Sequence, residues 1–292
     1  MQLYMRRLAC ILLVVICILP SRRAMAQSYY TMSEYGIAMG MSQYFGDLNN
    51  GYGFHTLNPA YGVYLRYHLN QFIAVKLVTN FTHVGYDDKY NTNPYEKERN
   101  LNFQSDIYEG ILQAEFNFFR FATGDPEHRY TPYLTGGIGA FYYNPYTIYQ
   151  GVQYDLRPLG TEGQNVGFNS RQYGSVSPCF PIGAGFKMWL FGGVNLSIEV
   201  ADRLSTTSYL DDVNTTYVGI DKFKPNSIAA ALQDRSLEVA GTTTALGRAG
   251  KQRGNTSRKD QYIVGLFSLS WHFKTYKCPQ GLNDDLIRVR RR

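Results

Sequence analysis

Residues 33–47 read SEYGIAMGMSQYFGD and alternate by twos. Successive side chains of an extended strand point to opposite faces. Tyr35, Ile37, Met39 and Met41 therefore share one face, and Gly36, Ala38, Gly40 and Ser42 share the other. The second face is small rather than charged, which suits a narrow enclosed space better than open water.

Seven more segments repeat the pattern. Residues 60–69 set Tyr61, Val63, Leu65 and Tyr67 against Gly62, Tyr64, Arg66 and His68, and residues 72–82 set Ile73, Val75, Leu77 and Phe81 against Ala74, Lys76 and Asn80. Only Asn70-Gln71 separates these two, the spacing of a tight hairpin. Residues 106–119 place Tyr108, Leu112, Phe116 and Phe118 opposite Glu109, Gln113, Glu115 and Asn117, and 130–143 place Leu134, Ile138 and Tyr142 opposite Thr131, Thr135 and two glycines. Residues 175–190 face Phe180, Ile182 and Phe186 away from Gly183, Gly185 and Lys187. In 194–204, Leu196, Ile198 and Val200 oppose Asn195, Ser197, Glu199 and Arg203. In 261–273, Phe267, Leu269 and Trp271 oppose Ser268, Ser270 and His272.

An even number of strands of about ten residues, each with one apolar and one small or polar face, predicts a transmembrane barrel. The fold class expected is all-β: an eight-stranded antiparallel up-and-down transmembrane β-barrel. Connectors 70–71, 120–129 and 191–193 are short, and 46–59, 83–105, 144–174 and 205–260 are long. The two classes alternate, so the short turns and both termini are expected in the periplasm and the long loops outside the cell. The competing reading is a soluble sandwich, which predicts charge on the exposed strand faces; charge is nearly absent from the apolar faces here.

The N-terminus adds a compartment. Residues 1–26 carry Arg6 and Arg7, an apolar run from Leu8 to Leu19 and an Ala24-Met25-Ala26 ending, the three parts of a cleaved secretory signal. The run is short for a membrane span, which argues against an uncleaved anchor. Cys10 and Cys17 do not stand at the end of the run, where lipid attachment would need one. The domains expected are thus a signal peptide at 1–26, a barrel at 27–274 and a basic periplasmic tail at 275–292. Cleavage lowers Lys+Arg from 29 to 25 against 23 Asp+Glu, so the net charge falls from +6 to +2 and no nucleic-acid partner is expected. Cys179 and Cys278 are too few for a disulfide scaffold or a zinc cage, and neither metal nor cofactor is expected.

The register sends Arg66, Lys76, Glu109, Glu115, Lys187, Glu199 and Arg203 into the lumen, where charges must pair. We read them as a structural network. A sharper alternative joins His68 to Glu109 or Glu115 as the acid–base pair of a lipid-modifying barrel enzyme, although no spacing marks a nucleophile. Asp211 and Asp212 offer adjacent carboxylates for calcium, but such acids more often face water. In the last long loop, residues 225–239 predict a helix capped by Asn226 or Ser227, and 247–260, with no apolar residue beyond Ala249, predict a mobile segment.

Several phrases resemble one family. They are SQYFGDLN (42–49), RNLNFQSDI (99–107), AEFNFF (114–119), YTPYLTGGIGAFYYNP (130–145), YDLRPLGTEGQ (154–164), PIGAGFK (181–187) and YLDDVNTTYV (209–218). Together they are similar to the DUF6089 family of outer-membrane barrels. The resemblance implies a non-enzymatic component of the type IX protein secretion system. Its implied partners are outer-membrane lipid and the periplasmic ring of that machine, built from a lipoprotein and a partner subunit. It brings no catalytic residues. The tail has no counterpart in these phrases; Arg288, Arg290, Arg291 and Arg292 are candidate contacts to an acidic partner. A surface adhesin or receptor working through loops 144–174 and 205–260 is the remaining alternative.

Overall fold

The computed structural model describes residues 33–272. The expected signal peptide, the tail with its arginine cluster, Phe273 and Cys278 lie outside the described residues.

The elements follow in the order β1 (Ser33–Phe45), β2 (Asn58–His68), β3 (Ile73–Asp87), α1 (Pro94–Arg99), β4 (Asn102–Asn117), β5 (Tyr130–Tyr142), β6 (Pro145–Tyr149), β7 (Val152–Asp155), α2 (Leu156–Leu159), β8 (Val176–Phe191), β9 (Val194–Ser205), α3 (Ile228–Gln233) and β10 (Gln261–His272). Eight of the strands pair antiparallel with their neighbours around a ring. β1 lies between β10 and β2, the ladder continues through β3, β4, β5, β8 and β9, and the pairing of β3 with β4 leaves no open edge. Closure gives each of the eight barrel strands a partner on both sides, as a sheet in hydrocarbon requires. No helix among the described residues is long and apolar enough to cross a membrane.

The period-two pattern is realised residue by residue. Tyr35, Ile37, Met39, Met41, Val63, Leu65, Leu112, Leu134, Ile138, Ile182, Val200 and Phe267 are exposed on the outer wall. Cross-strand register sets Tyr61, Phe81, Tyr108 and Tyr142 side by side over four strands, one aromatic arc of the kind that lies at a membrane interface. The small face of β1 has a steric reason. A Cβ added to Gly36 would sit 2.2 Å from the Tyr64 ring, and one added to Gly185 would sit 2.4 Å from that of Tyr133. These glycines are the recesses into which lumen tyrosines fold.

Three differences from the expected elements have local causes. β3 and β4 remain paired out to Asp87 and Asn102, so much of the 83–105 connector is a strand extension. The 144–174 loop holds a hairpin of β6 and β7, turned by Gln150 and Gly151, both at positive φ, as a two-residue hairpin turn demands. Residues 247–260 are anchored rather than mobile: Arg253 and Asp260 are buried and Gln252 bridges Thr216. Of the helix expected over 225–239, only Ile228–Gln233 forms, as α3, with Ser227 Oγ as its cap acceptor.

Candidate functional site

Two buried polar regions stand out, one in the lumen near the short turns and one among the long loops.

All seven charged lumen residues expected from the register are buried, and the structure adds an eighth, Glu34. It lies at the start of β1 with the parity of Gly36 and Gly40, and it turns four cations against three acids into four against four. Glu115 is the hub: Arg66 Nε lies 3.0 Å from its carboxylate, Lys187 Nζ 2.8 Å and Lys76 Nζ 3.4 Å. Arg66 also pairs with Glu34, and Lys76 with Glu199. Glu199 further accepts from Tyr133 Oη at 2.9 Å. Glu109 stands apart, bound to Arg203 at 3.2 Å, to Tyr262 Oη at 2.6 Å and to Asn80. Aromatic faces complete the cation shells. The Tyr64 ring centroid is 4.9 Å from the Arg66 guanidinium, and that of Tyr133 is 4.8 Å from Lys187 Nζ.

His68 does not meet Glu109 or Glu115. Its Nε2 lies 2.9 Å from Glu34 Oε2, and its ring stacks on that of His272 at 5.4 Å between centroids. The ladder beside Glu109 is continuous, with Asn80 and Phe141 as its paired neighbours. The acid–base pair of a lipid-modifying enzyme is therefore not assembled at these residues.

Towards the long loops the lumen fill turns aromatic and aliphatic. Tyr44, Phe103, Ile107, Phe141 and Tyr262 are buried there, with the Tyr44 and Phe103 rings edge to face. Above them the loops form a cap. Asp211 and Asp212 are fully buried in it, not facing water. Tyr44 Oη donates to Asp211 at 2.6 Å and lies 3.2 Å from Asp260, while the amides of Val213 and Leu210 donate to the same two acids. Asp212 accepts from Tyr173 Oη at 2.6 Å and from Thr161. Each of the four carboxylate oxygens of the pair already accepts from a protein donor, so calcium would have to displace those bonds.

These acids are held mostly by neutral donors, and their affinity for protons shows it. Burial, then the neighbouring Asp260 and Asp47 charges, hold the Asp211 carboxyl far above its ordinary range. Burial pushes Asp212 up to about 6 despite the Arg253 charge nearby. Asp47 is likewise raised to about 6 by burial.

The loop phrases YDLRPLGTEGQ and YLDDVNTTYV meet one another in this cap. Thr161 binds Asp212, and Glu162 accepts from the Asn214 amide at 2.8 Å, the Thr215 amide at 3.0 Å and Thr215 Oγ1 at 2.6 Å. Arg253 joins them through Glu162 at 3.2 Å and the Asp212 carbonyl at 2.6 Å. Arg99, bidentate to Asp88 at 2.7 Å, extends the lattice to the Arg253 and Asp47 carbonyls. The outer face keeps a polar recess of about 320 Å³ lined by Asp47, Asn50, Tyr95, Glu96, Arg99 and Arg258 among others.

Residues 9–224 match the family model described as DUF6089, a domain of unknown function. No curated protein matches the chain. Among solved structures, the chain is similar to Neisserial surface protein A (TM-score 0.41, 9% identity, covering 82% of this chain and 97% of that one). It is also similar to Ail, the attachment invasion locus protein of Yersinia pestis, in complex with the heparin analogue sucrose octasulfate (0.40, 11%, 84% and 99%), and to the outer membrane protein OprG of Pseudomonas aeruginosa (0.37, 8%, 84% and 98%). These scores are too low to bear on function, and the barrel fold stands on the closed strand ladder itself.

Proposed function

Because this chain belongs to the DUF6089 family, we propose that it is a non-enzymatic outer-membrane component of the type IX protein secretion machinery, a PorG-like barrel that ties the machine's periplasmic ring to the outer membrane. The observation that carries the reading is the lumen. Each of its four acids is bound to a cation and buried, so the interior stabilises the barrel and function falls to its surfaces. In this reading the short turns and both termini face the periplasm, where the ring lipoprotein and its partner subunit are met. Arg288, Arg290, Arg291 and Arg292 of the tail, outside the described residues, contact an acidic periplasmic partner.

The test is affinity purification of the tagged full-length protein from gently solubilised outer membranes. Co-purification of the ring subunits, reduced when residues 275–292 are deleted, is the expected result. Recovery of the barrel alone contradicts the reading. Ring recovery unchanged by the deletion removes the tail from it and leaves the turns as the contact. A second reading, a surface receptor, draws on the polar recess in the cap, and it gains if the barrel is recovered alone.

A further inference from the structure

Glu34, His68 and His272 come from three neighbouring strands, β1, β2 and β10, at the short-turn end of the lumen. The register makes the meeting unavoidable. Glu34 is paired directly with His272 on one side and with Arg66 on the other, and His68 follows Arg66 by two residues, so all three share the lumen face. Their ligand atoms converge. His68 Nε2 is 2.9 Å and His272 Nε2 is 3.2 Å from the same oxygen, Glu34 Oε2, and the three atoms lie within 4.8 Å of one another.

We propose that this triad is a binding site for a divalent transition metal, zinc foremost. Four observations support it beyond the residue types. First, a tetrahedral ion with bonds of about 2.0–2.1 Å needs ligand atoms about 3.3 Å apart; the two histidine–glutamate spacings, 2.9 and 3.2 Å, are already close to that, and the two imidazole nitrogens, within 4.8 Å of one another, close the rest by rotation of their side chains. Second, the other carboxylate oxygen, Oε1, is engaged by Arg66 and Ser270, which orients Glu34 and leaves Oε2 for the ion. Third, the stacked imidazoles have their ring positions fixed by each other, and the Phe121 ring lies 6.3 Å from that of His68. Fourth, the imidazoles stand at the mouth of the lumen: the His68 side chain keeps 13% of its exposure and that of His272 7%, against 0% for Glu34. An ion therefore has a route in from the turn end, and water can fill its fourth position and screen its charge.

Two imidazoles and one carboxylate select borderline metals over calcium or magnesium, which prefer oxygen sets. On binding, each imidazole presents its Nε2 lone pair with its proton on Nδ1. The ion replaces two imidazole–carboxylate hydrogen bonds with three coordinate bonds. No cysteine takes part, so the low cysteine count does not bear on the site.

The experiment is titration of the purified, metal-stripped full-length barrel in detergent with Zn²⁺, by calorimetry and by competition with a chromophoric chelator. One equivalent should bind, magnesium and calcium in excess should not displace it, and the His68→Gln/His272→Gln double variant should bind at least about 100-fold more weakly. Heat-modifiable mobility on gels reports whether that variant is folded. Should it not fold, each single His→Gln variant is titrated instead, with a loss of at least about tenfold expected. Co²⁺ loaded into the unaltered protein should show the intense visible bands of a tetrahedral site. Absence of a stoichiometric zinc equivalent, affinity unchanged in the folded variants, or a Co²⁺ spectrum indistinguishable from the hexa-aqua ion would each overturn the proposal.

Discussion

The lumen and the loop cap both bury carboxylates, and they solve the problem in different ways. In the lumen, Glu115 faces Arg66, Lys76 and Lys187 within 3.4 Å, and charge meets charge. In the cap, Asp211 and Asp260 share the single phenol proton of Tyr44 and are otherwise held by backbone amides. One proton cannot serve both acids fully, and burial raises the affinity of both for protons. A site enclosed by eight strands recruits long cationic side chains from several strands at once. A cap built from loops brings amides and hydroxyls instead. The first region sets cation against anion, whereas the second should respond to pH.

The largest expected effect breaks the lumen hub. Glu115→Gln removes the carboxylate that three buried cations share, leaving Arg66 and Lys76 one acid each and Lys187 without its 2.8 Å partner, and should cost about 3–5 kcal/mol in reversible urea unfolding from detergent or lipid. A loss under about 1 kcal/mol would mean that the network adds little. Next comes volume. Gly36→Val drives a side chain into the Tyr64 ring and should cost about 1–3 kcal/mol, while Gly51→Ala, in the cap with open space around it, should change nothing measurable. Equal costs at the two glycines would erase the contrast in filling.

Asp211→Asn is the counterpart of Glu115→Gln. It swaps a carboxyl whose affinity for protons is raised by burial for a neutral isostere, and the cap should lose less than about 1 kcal/mol. A loss as large as that at Glu115 would show Asp211 to be ionised. The smallest effect is pH dependence. Asp212 holds its proton to about pH 6 in the folded cap, against 3.8 ordinarily. Between those values the folded cap binds more protons than the unfolded chain, so its stability is fullest below 3.8 and declines as the pH rises through about 6. Amide exchange at Leu210, Val213 and Thr215, corrected for intrinsic chemistry, should be slower at about pH 5 than at about pH 7.5. Faster exchange at the lower pH would reverse the assignment.

Period-two alternation made the strands and their faces legible, because in a barrel of this size one face is lumen along the whole strand. Glu34 was legible too: its parity matched Gly36, and the unbalanced lumen charge asked for a fourth acid. The β6–β7 hairpin carried its own signal in Gln150-Gly151 between alternating runs. The cap was not legible. Its contacts join Thr161 to Asp212 and Asp47 to Asn255, the latter 208 residues apart, with no period linking them. The 247–260 segment looks unstructured because polar groups, led by Arg253, do the anchoring that apolar ones usually do.

The central claim is that the interior is a filled, charge-paired support rather than a passage or a reaction chamber. Single-channel recording of the purified protein in planar bilayers at neutral pH and moderate salt tests it most directly. A filled lumen gives no steady conductance above the bare membrane. A stable open level that changes with Lys187→Met or Glu199→Gln would show ions passing through the network and contradict the claim.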